Sequence, residues 1–341
     1  MRRPIVRLAA VLVVAAVVIT ENGSRTPSSA RAELPTVAPR AAGADQLIVE
    51  PDAGMRPVYA LLAAAHRSLD MTMYELVDPT AEALMADAAS RGVRVRVVLD
   101  HRLEGTRNRP AYDYLTSRGV TVHWAASRFF ATHQKTFVVD RSVAVVMSLN
   151  LTERYYATSR DVALVDRDPA DVAAIESVFE ADFDWRTTGT PAADDLVWSP
   201  EQSAADLVAL IGAARRSVAV ESEELTSRSV IEALVAAARR GVAVTIAMTY
   251  DERALPGLRA VAAAGGRVAV LYGETPLYIH AKLFAVDAGT PSERAFIGSE
   301  NLSDASLFHD RELGVVLLQP GLVNQVAATI AADVSSGQRW P

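Results

Sequence analysis

Cysteine is absent from the 341-residue chain. That excludes disulfide frameworks, thiol nucleophiles, Cys-ligated zinc, iron–sulfur clusters and a lipid-modified N-terminal Cys. Long apolar runs are missing too: nothing inside the chain approaches the roughly 20 apolar residues of a membrane-spanning helix. Positive charge is in deficit, with 34 Lys and Arg against 41 Asp and Glu, for a net charge of −7. A non-specific polyanion binder is disfavoured by that balance. Lysine itself is nearly missing, at two residues against 32 arginines. What remains is half apolar and 22% charged, the composition of a globular chain long enough for two lobes and too apolar to be disordered.

The first 32 residues depart from this composition. Arg2, Arg3 and Arg7 precede a 12-residue apolar run, Leu8 to Ile19, followed by a polar stretch and Ala30-Arg31-Ala32. A basic segment, a short apolar core and an A-x-A site form the pattern of a secretory signal, and the run is short for a bilayer span. The expectation is a secreted or extracytoplasmic protein, with 1–32 a signal peptide or uncleaved anchor and 33–45 a flexible linker. Without the five arginines and one glutamate of 1–32, the remaining chain stands at −11.

The chain then repeats itself. Ser68–Glu75 reads as a strand, followed by a helix to Ser90, a stop at Arg91-Gly92 and a second strand over Val93–Leu99. Ser217–Glu224, the helix Ser229–Ala238, the stop Arg240-Gly241 and the strand Val242–Met248 follow the same plan 149 residues later. Gly at a helix end followed by β-branched residues marks both stops. Leu47–Val49 and Leu196–Trp198 open the halves, and Thr136–Val139 with Val143–Val146 matches Leu283–Val286 with Ala295–Ile297. A strand over Val162–Val165 or Leu313–Leu318 precedes a closing helix near Asp171–Phe183 or Val323–Ala332. Strands alternating with helices predict an α/β fold of two similar halves, 46–186 and 195–341, joined by the polar connector 187–194 and packed about a pseudo-twofold axis with a cleft between them.

Both lysines stand two residues after a histidine, in His133-Gln134-Lys135 and His280-Ala281-Lys282. A compact ammonium kept where composition favours Arg suits a single phosphate-sized anion beside a nucleophile. Strand period places each His and Lys on one face, whereas Asp140 and Asp287, at the ends of the two runs, fall on the other and read as structural hydrogen-bond acceptors. Ser148-Leu149-Asn150 and Ser299-Glu300-Asn301 add paired polar side chains, and Asp161 and Glu312 open the next strand of each half. The other histidines, His66, His101, His123 and His309, read as structural or surface residues, His309 being notable for its place before Arg311-Glu312. Phe129, Phe130, Leu277 and Tyr278, just before the motif histidines, suit either core packing or an apolar rim.

His-x-Lys-x4-Asp, twice, with a Ser-x-Asn after each, resembles the phospholipase D superfamily and its HKD motif, over roughly 45–335. The resemblance implies a duplicated fold with one site between the halves, no metal and no cofactor. It implies that one His attacks phosphorus to form a phosphohistidine while the other protonates the leaving alcohol; His133 is assigned as nucleophile and His280 as acid/base, with the reverse left open by the near symmetry. Lys135, Lys282, Asn150 and Asn301 would hold the phosphate with Ser148 and Ser299 assisting, and Asp161 and Glu312 would orient the imidazoles, pairing across the halves. Two departures stand out: Met147 replaces the Gly that Gly298 supplies in the second copy, which predicts crowding near the phosphate, and Gly289-Thr290-Pro291 suggests an inserted turn. The expected activity is that of an exported phospholipase D acting on phospholipid or another phosphodiester as a monomer, with membrane-surface contact. A secreted nuclease, requiring Arg94, Arg96, Arg102, Arg107, Arg109 and Arg128 to line a basic groove, and a non-catalytic phosphate- or lipid-binding protein are the alternatives.

Overall fold

The structure, a computed structural model, describes residues 45–187, 189, 195–272 and 277–340. The signal segment, the linker apart from Asp45, and all of the 187–194 connector except Thr187 and Gly189 lie outside the described residues. Each half is built on one mixed sheet. In the first, the strands run in the order Gln46–Glu50, Ser159–Asp166, Val143–Met147, Lys135–Val139, Ser68–Met73, Arg94–Leu99 and Thr121–Trp124. The second repeats it as Leu196–Ser199, Glu312–Leu317, Arg294–Gly298, Lys282–Val286, Ser217–Glu221, Ala243–Thr249 and Arg267–Leu271, with Gln338–Arg339 added at the edge. Parallel pairing joins the three strands linked by helical crossovers, and the strands joined by short turns pair antiparallel.

The helix Pro79–Ser90 starts where Asp78 accepts the Thr80 and Ala81 N–H groups. It stops at Gly92, whose φ of 88° matches the 86° of Gly241 in the second half, the left-handed conformation that glycine adopts without a Cβ clash. A third βα unit in each half, the helix Gly105–Ser117 with the strand Thr121–Trp124 and the helix Leu255–Ala263 with Arg267–Leu271, extends the plan beyond the elements read from sequence. The expected strands Ser68–Glu75 and Ser217–Glu224 end early, at Met73 and Glu221, and this frees the next residues to enter the cleft.

Strands are apolar on both faces because both faces are covered. Outward-facing Leu69, Met71, Val97, Phe137 and Val145 pack beneath the first half's helices. Inward-facing Val138, Val146, Val162 and Leu164 share one core with Leu283, Ala285, Ile297, Leu313 and Val315 of the second sheet. All these residues belong to one unit. Among the described residues, no helix is long and apolar enough to cross a membrane.

Candidate active site

The backbone before each motif histidine is fastened to the opposite half. Gln134 N–H donates to the Arg311 carbonyl, and Arg311 N–H to the Ala131 carbonyl, both at 2.9 Å. In mirror fashion, Tyr278–Ile279 pairs in parallel with Ser159 and Arg160, and the N–H groups of His280 and Ala281 reach the Arg160 carbonyl at 3.1 and 2.8 Å. The residue after each of these arginines is an acid. Glu312 Oε2 therefore lies 2.8 Å from His133 Nδ1, and Asp161 Oδ1 lies 2.8 Å from His280 Nδ1. With each Nδ1 occupied by a carboxylate from the other half, Nε2 is the ring nitrogen left available for chemistry.

Arg160 and Arg311 support the site in a way that sequence reasoning misses, although an Arg-acid dipeptide stands at the start of the same strand in both halves. Both side chains are buried. Arg160 pairs with Asp333 at 2.7 Å and Asp52 at 2.9 Å, and Arg311 with Asp182 at 3.0 Å and Glu201 at 3.1 Å. Asp333 and Asp182 belong to the closing helix of the other half in each case, so these buried arginines join the halves directly behind the acids. Burying such charges is tolerable because each is paired.

Both lysines are fully buried at the sheet ends and donate to the carbonyls of His133 and His280 respectively. Lys135 Nζ sits 4.8 Å from the Tyr74 ring centroid, and that ring meets His133 edge-on at 4.5 Å. Burial pushes the Lys135 ammonium down to about 7 against the pull of Glu312, with the charge of Lys282 adding to the shift. Burial likewise lowers the His133 imidazole despite Glu312, which favours a neutral ring with a free Nε2 lone pair. Burial would raise Glu312, but His133 beside it holds that carboxyl below its usual range.

Ser148 and Ser299 depart from their expected place at the phosphate. Ser148 is fully buried, donates to Asp161 Oδ1 at 2.7 Å and accepts the Val162 N–H, so it fixes the acid that orients His280. Ser299 exchanges hydrogen bonds with the Leu313 backbone, and Glu312 is instead held by Ser306 from the short helix Asp304–His309. Asn150 and Asn301 each bury a side-chain carbonyl oxygen with no protein partner; Asn301 Nδ2 donates to Glu223 at 3.3 Å. Asp140 accepts the N–H groups of His66, Arg67 and Ser68, and Asp287 those of Arg215, Arg216 and Ser217. Burial would raise both carboxyls, but these donors hold them below their usual range. The motif acids tie strand ends to the sheet, as their position at the end of each run suggests.

Met147 turns into the outer core and not toward the motif side chains, so the crowding expected of it has no counterpart in the fold. Its side chain is buried in the first half's outer core with Leu149 and Ala163. At the matching place, a Cβ on Gly298 would lie 2.2 Å from the Glu300 carboxylate and 2.8 Å from Gly314. Glu300 is wholly buried, and burial, reinforced by Glu312, raises its carboxyl well above the usual range.

Five of the six arginines considered for a basic groove are engaged in ion pairs. Arg94 and Arg96 pair with Asp70, Arg107 with Glu75 and Glu104, Arg109 with Asp113, and Arg128 with Asp182. Arg102 instead covers the half-exposed Phe130 ring at 4.7 Å. Phe129 is buried against Arg128 and Arg311. His101 packs on Trp124 and His123 stacks on Phe183; His309 is exposed, and its carbonyl accepts the Phe130 N–H.

The duplication of this chain is mirrored in its match to a known protein family. The domain described as "Cardiolipin synthase, PLD-like domain" matches residues 58–183 and 207–334, once in each half. Cardiolipin synthase A of Pseudomonas aeruginosa is 25% identical over 331 residues, covering 84% of this chain and 66% of its own. Mitochondrial cardiolipin hydrolase of Xenopus tropicalis is 33% identical over 132 residues, covering 38% of this chain and 60% of its own. The chain thus spans less than two thirds of the length of these relatives. In fold, phosphatidylserine synthase of Haemophilus influenzae superposes with a TM-score of 0.70 at 13% identity, over 90% of this chain and 89% of its own. Two copies of one domain, each supplying the carboxylate that orients the other's histidine, make this chain a member of the phospholipase D-like family that the cardiolipin synthase domain defines.

Proposed function

We propose that the protein is a phospholipase D-type phosphodiesterase that cleaves phospholipid headgroups through a covalent phosphohistidine. The reciprocal pairs His133–Glu312 and His280–Asp161, beside Lys135 and Lys282, carry this reading. His133 Nε2 attacks phosphorus while the bond to the headgroup oxygen breaks, and His280 Nε2 gives that oxygen its proton. Water, or another alcohol, then attacks the phosphohistidine, returning its proton to His280 and releasing His133. Lys135, Lys282, Asn150 and Asn301 surround the phosphoryl oxygens. The lowered His133 supports its assignment as nucleophile, because attack needs the neutral ring.

A lipid substrate is favoured over long nucleic acid by the ion-paired arginines and the acidic net charge, and it agrees with the lipid names of the relatives. The basic-apolar pattern of residues 1–32 supports action outside the cytoplasm. The test is mass spectrometry of products from vesicles of phosphatidylethanolamine, phosphatidylglycerol and cardiolipin incubated with the full chain, ethanol and EDTA. Phosphatidic acid and phosphatidylethanol, both absent with His133→Asn, are the expected products. Folded protein that turns over no lipid overturns the lipid reading.

A further inference from the structure

One charged side chain in the cleft is unused by this scheme. Glu223 follows the early end of the Ser217–Glu221 strand and is about one-fifth exposed. Its Oε2 lies 3.1 Å from Lys282 Nζ, 3.3 Å from Asn301 Nδ2 and 3.6 Å from His280 Nε2. Three groups that serve the phosphate or its leaving oxygen in the second half therefore converge on one carboxylate oxygen. Tyr278 Oη donates to the other oxygen at 2.8 Å. Burial would raise this carboxyl, yet Lys282 and His280 hold it well below its usual range, so it is an anion.

The half-site does not need this anion. In the repeat, the matching position is Tyr74, an uncharged ring packed on His133 and under Lys135. The lip beside Glu223 is acidic as well: Glu224 and Asp251, each about one-fifth exposed, face Arg253. When a phosphoryl oxygen takes Lys282 and Asn301, Glu223 loses both donors and is left beside a second anion in a partly buried site. A monoanionic diester meets that repulsion with only Tyr278 and the His280 ring left beside Glu223. A substrate bearing a cation next to its phosphate removes it, the cation replacing Lys282 as the partner of Glu223.

We infer that Glu223 is a specificity-determining residue that selects zwitterionic phosphodiesters, those whose leaving alcohol carries an ammonium group. The position fits, because Glu223 stands at His280 Nε2, the atom assigned to protonate the leaving alcohol. This inference rests on the proposed phospholipase D-type reaction and adds the class of headgroup.

The experiment compares kcat/KM for dihexanoyl phosphatidylethanolamine and dihexanoyl phosphatidylglycerol, reading phosphatidic acid by mass spectrometry, in the full-length wild type and in Glu223→Gln and Glu223→Asp. The expected wild-type ratio favours the ethanolamine lipid by about tenfold or more, the effect of one buried charge partner. Glu223→Gln is expected to erase most of that ratio, chiefly through a higher KM for the ethanolamine lipid, and Glu223→Asp to keep part of it. A wild type that prefers phosphatidylglycerol or treats the two alike overturns the inference even if neither variant folds. A Glu223→Gln that scales both rates equally also overturns it, and would make Glu223 a support for Lys282. Wild type inactive on both lipids overturns the underlying reaction as well; activity on both with an unmoved ratio overturns the inference alone.

Discussion

The two halves present the same reacting atoms on different supports. In the first, the space beneath the motif is apolar, filled by Met147, Leu149 and Ala163, and Tyr74 covers the His-Lys pair. In the second, Gly298 and Gly314 make room for the buried Glu300, and the charged Glu223 stands over the pair. Even the acids are held differently, Asp161 by Ser148 and Glu312 by Ser306. What the two copies share is the placement of His, Lys and the partner acid by backbone pairing with the other half. What they do not share is charge: the first half leaves its histidine under an aromatic ring, and the second gives its histidine a carboxylate at each ring nitrogen. Near-identical geometry thus carries two electrostatic environments, the condition under which one imidazole can act as nucleophile and the other as acid.

The largest expected effect divides the histidines. With a p-nitrophenyl phosphodiester, whose leaving group needs no proton, His280→Ala is expected to accumulate a phosphorylated His133 visible in intact-protein mass spectra. His133→Ala should form no adduct and lose activity by roughly 10²–10⁴-fold or more. An adduct on His280 would reverse the assignment of roles. Next come the supports. Met147→Ala should cost about 2–5 kcal/mol of unfolding free energy by opening a cavity. Gly298→Ala should cost about 1–3 kcal/mol by driving a methyl into Glu300 and Phe296. Urea unfolding measures both, and equal insensitivity at the two positions would dissolve the distinction between the cores.

The smallest effect is the pH dependence of Lys135. Its ammonium, pushed down to about 7 by burial, is charged below that pH and neutral above it. The KM for a phosphodiester, monoanionic throughout, should rise severalfold as pH passes through about 7, and Lys135→Met should flatten the change. Linkage runs the other way for stability. An unfolded lysine titrates near 10.4, so between about 7 and 10 the unfolded chain binds more protons than the native one, and unfolding free energy from this group increases with pH. A KM that is level from pH 6 to 8.5 would contradict the lowered Lys135.

Much of this arrangement is legible in the amino-acid sequence alone. The duplication, the strands of each half and the side chains of both motifs are local patterns: alternation, helix stops and spacing report them directly. Asp140 and Asp287 can be read as structural because strand parity turns them away from the lysines. The rest depends on pairing at long range. Ser148 has the same spacing to its asparagine as Ser299, and nothing local says that one reaches an acid while the other stays on the backbone. Met147 resembles an obstruction because a strand residue points to one of two faces, and only the outer core decides which. Glu223 is hidden by the strand that ends two residues before it, where sequence patterning carries the strand through to Glu224.

The crossed pairing of His133 with Glu312 and His280 with Asp161 also sets a schedule. Glu312 is made 179 residues after His133, and His280 is made 119 residues after Asp161. At roughly 5–20 residues per second, His133 waits about ten seconds or longer for the carboxylate that fixes its tautomer. The crossed pair His133–Glu312 is therefore incomplete through most of the chain's own synthesis. Translation itself is the timer, and the strand that delivers Glu312 releases it.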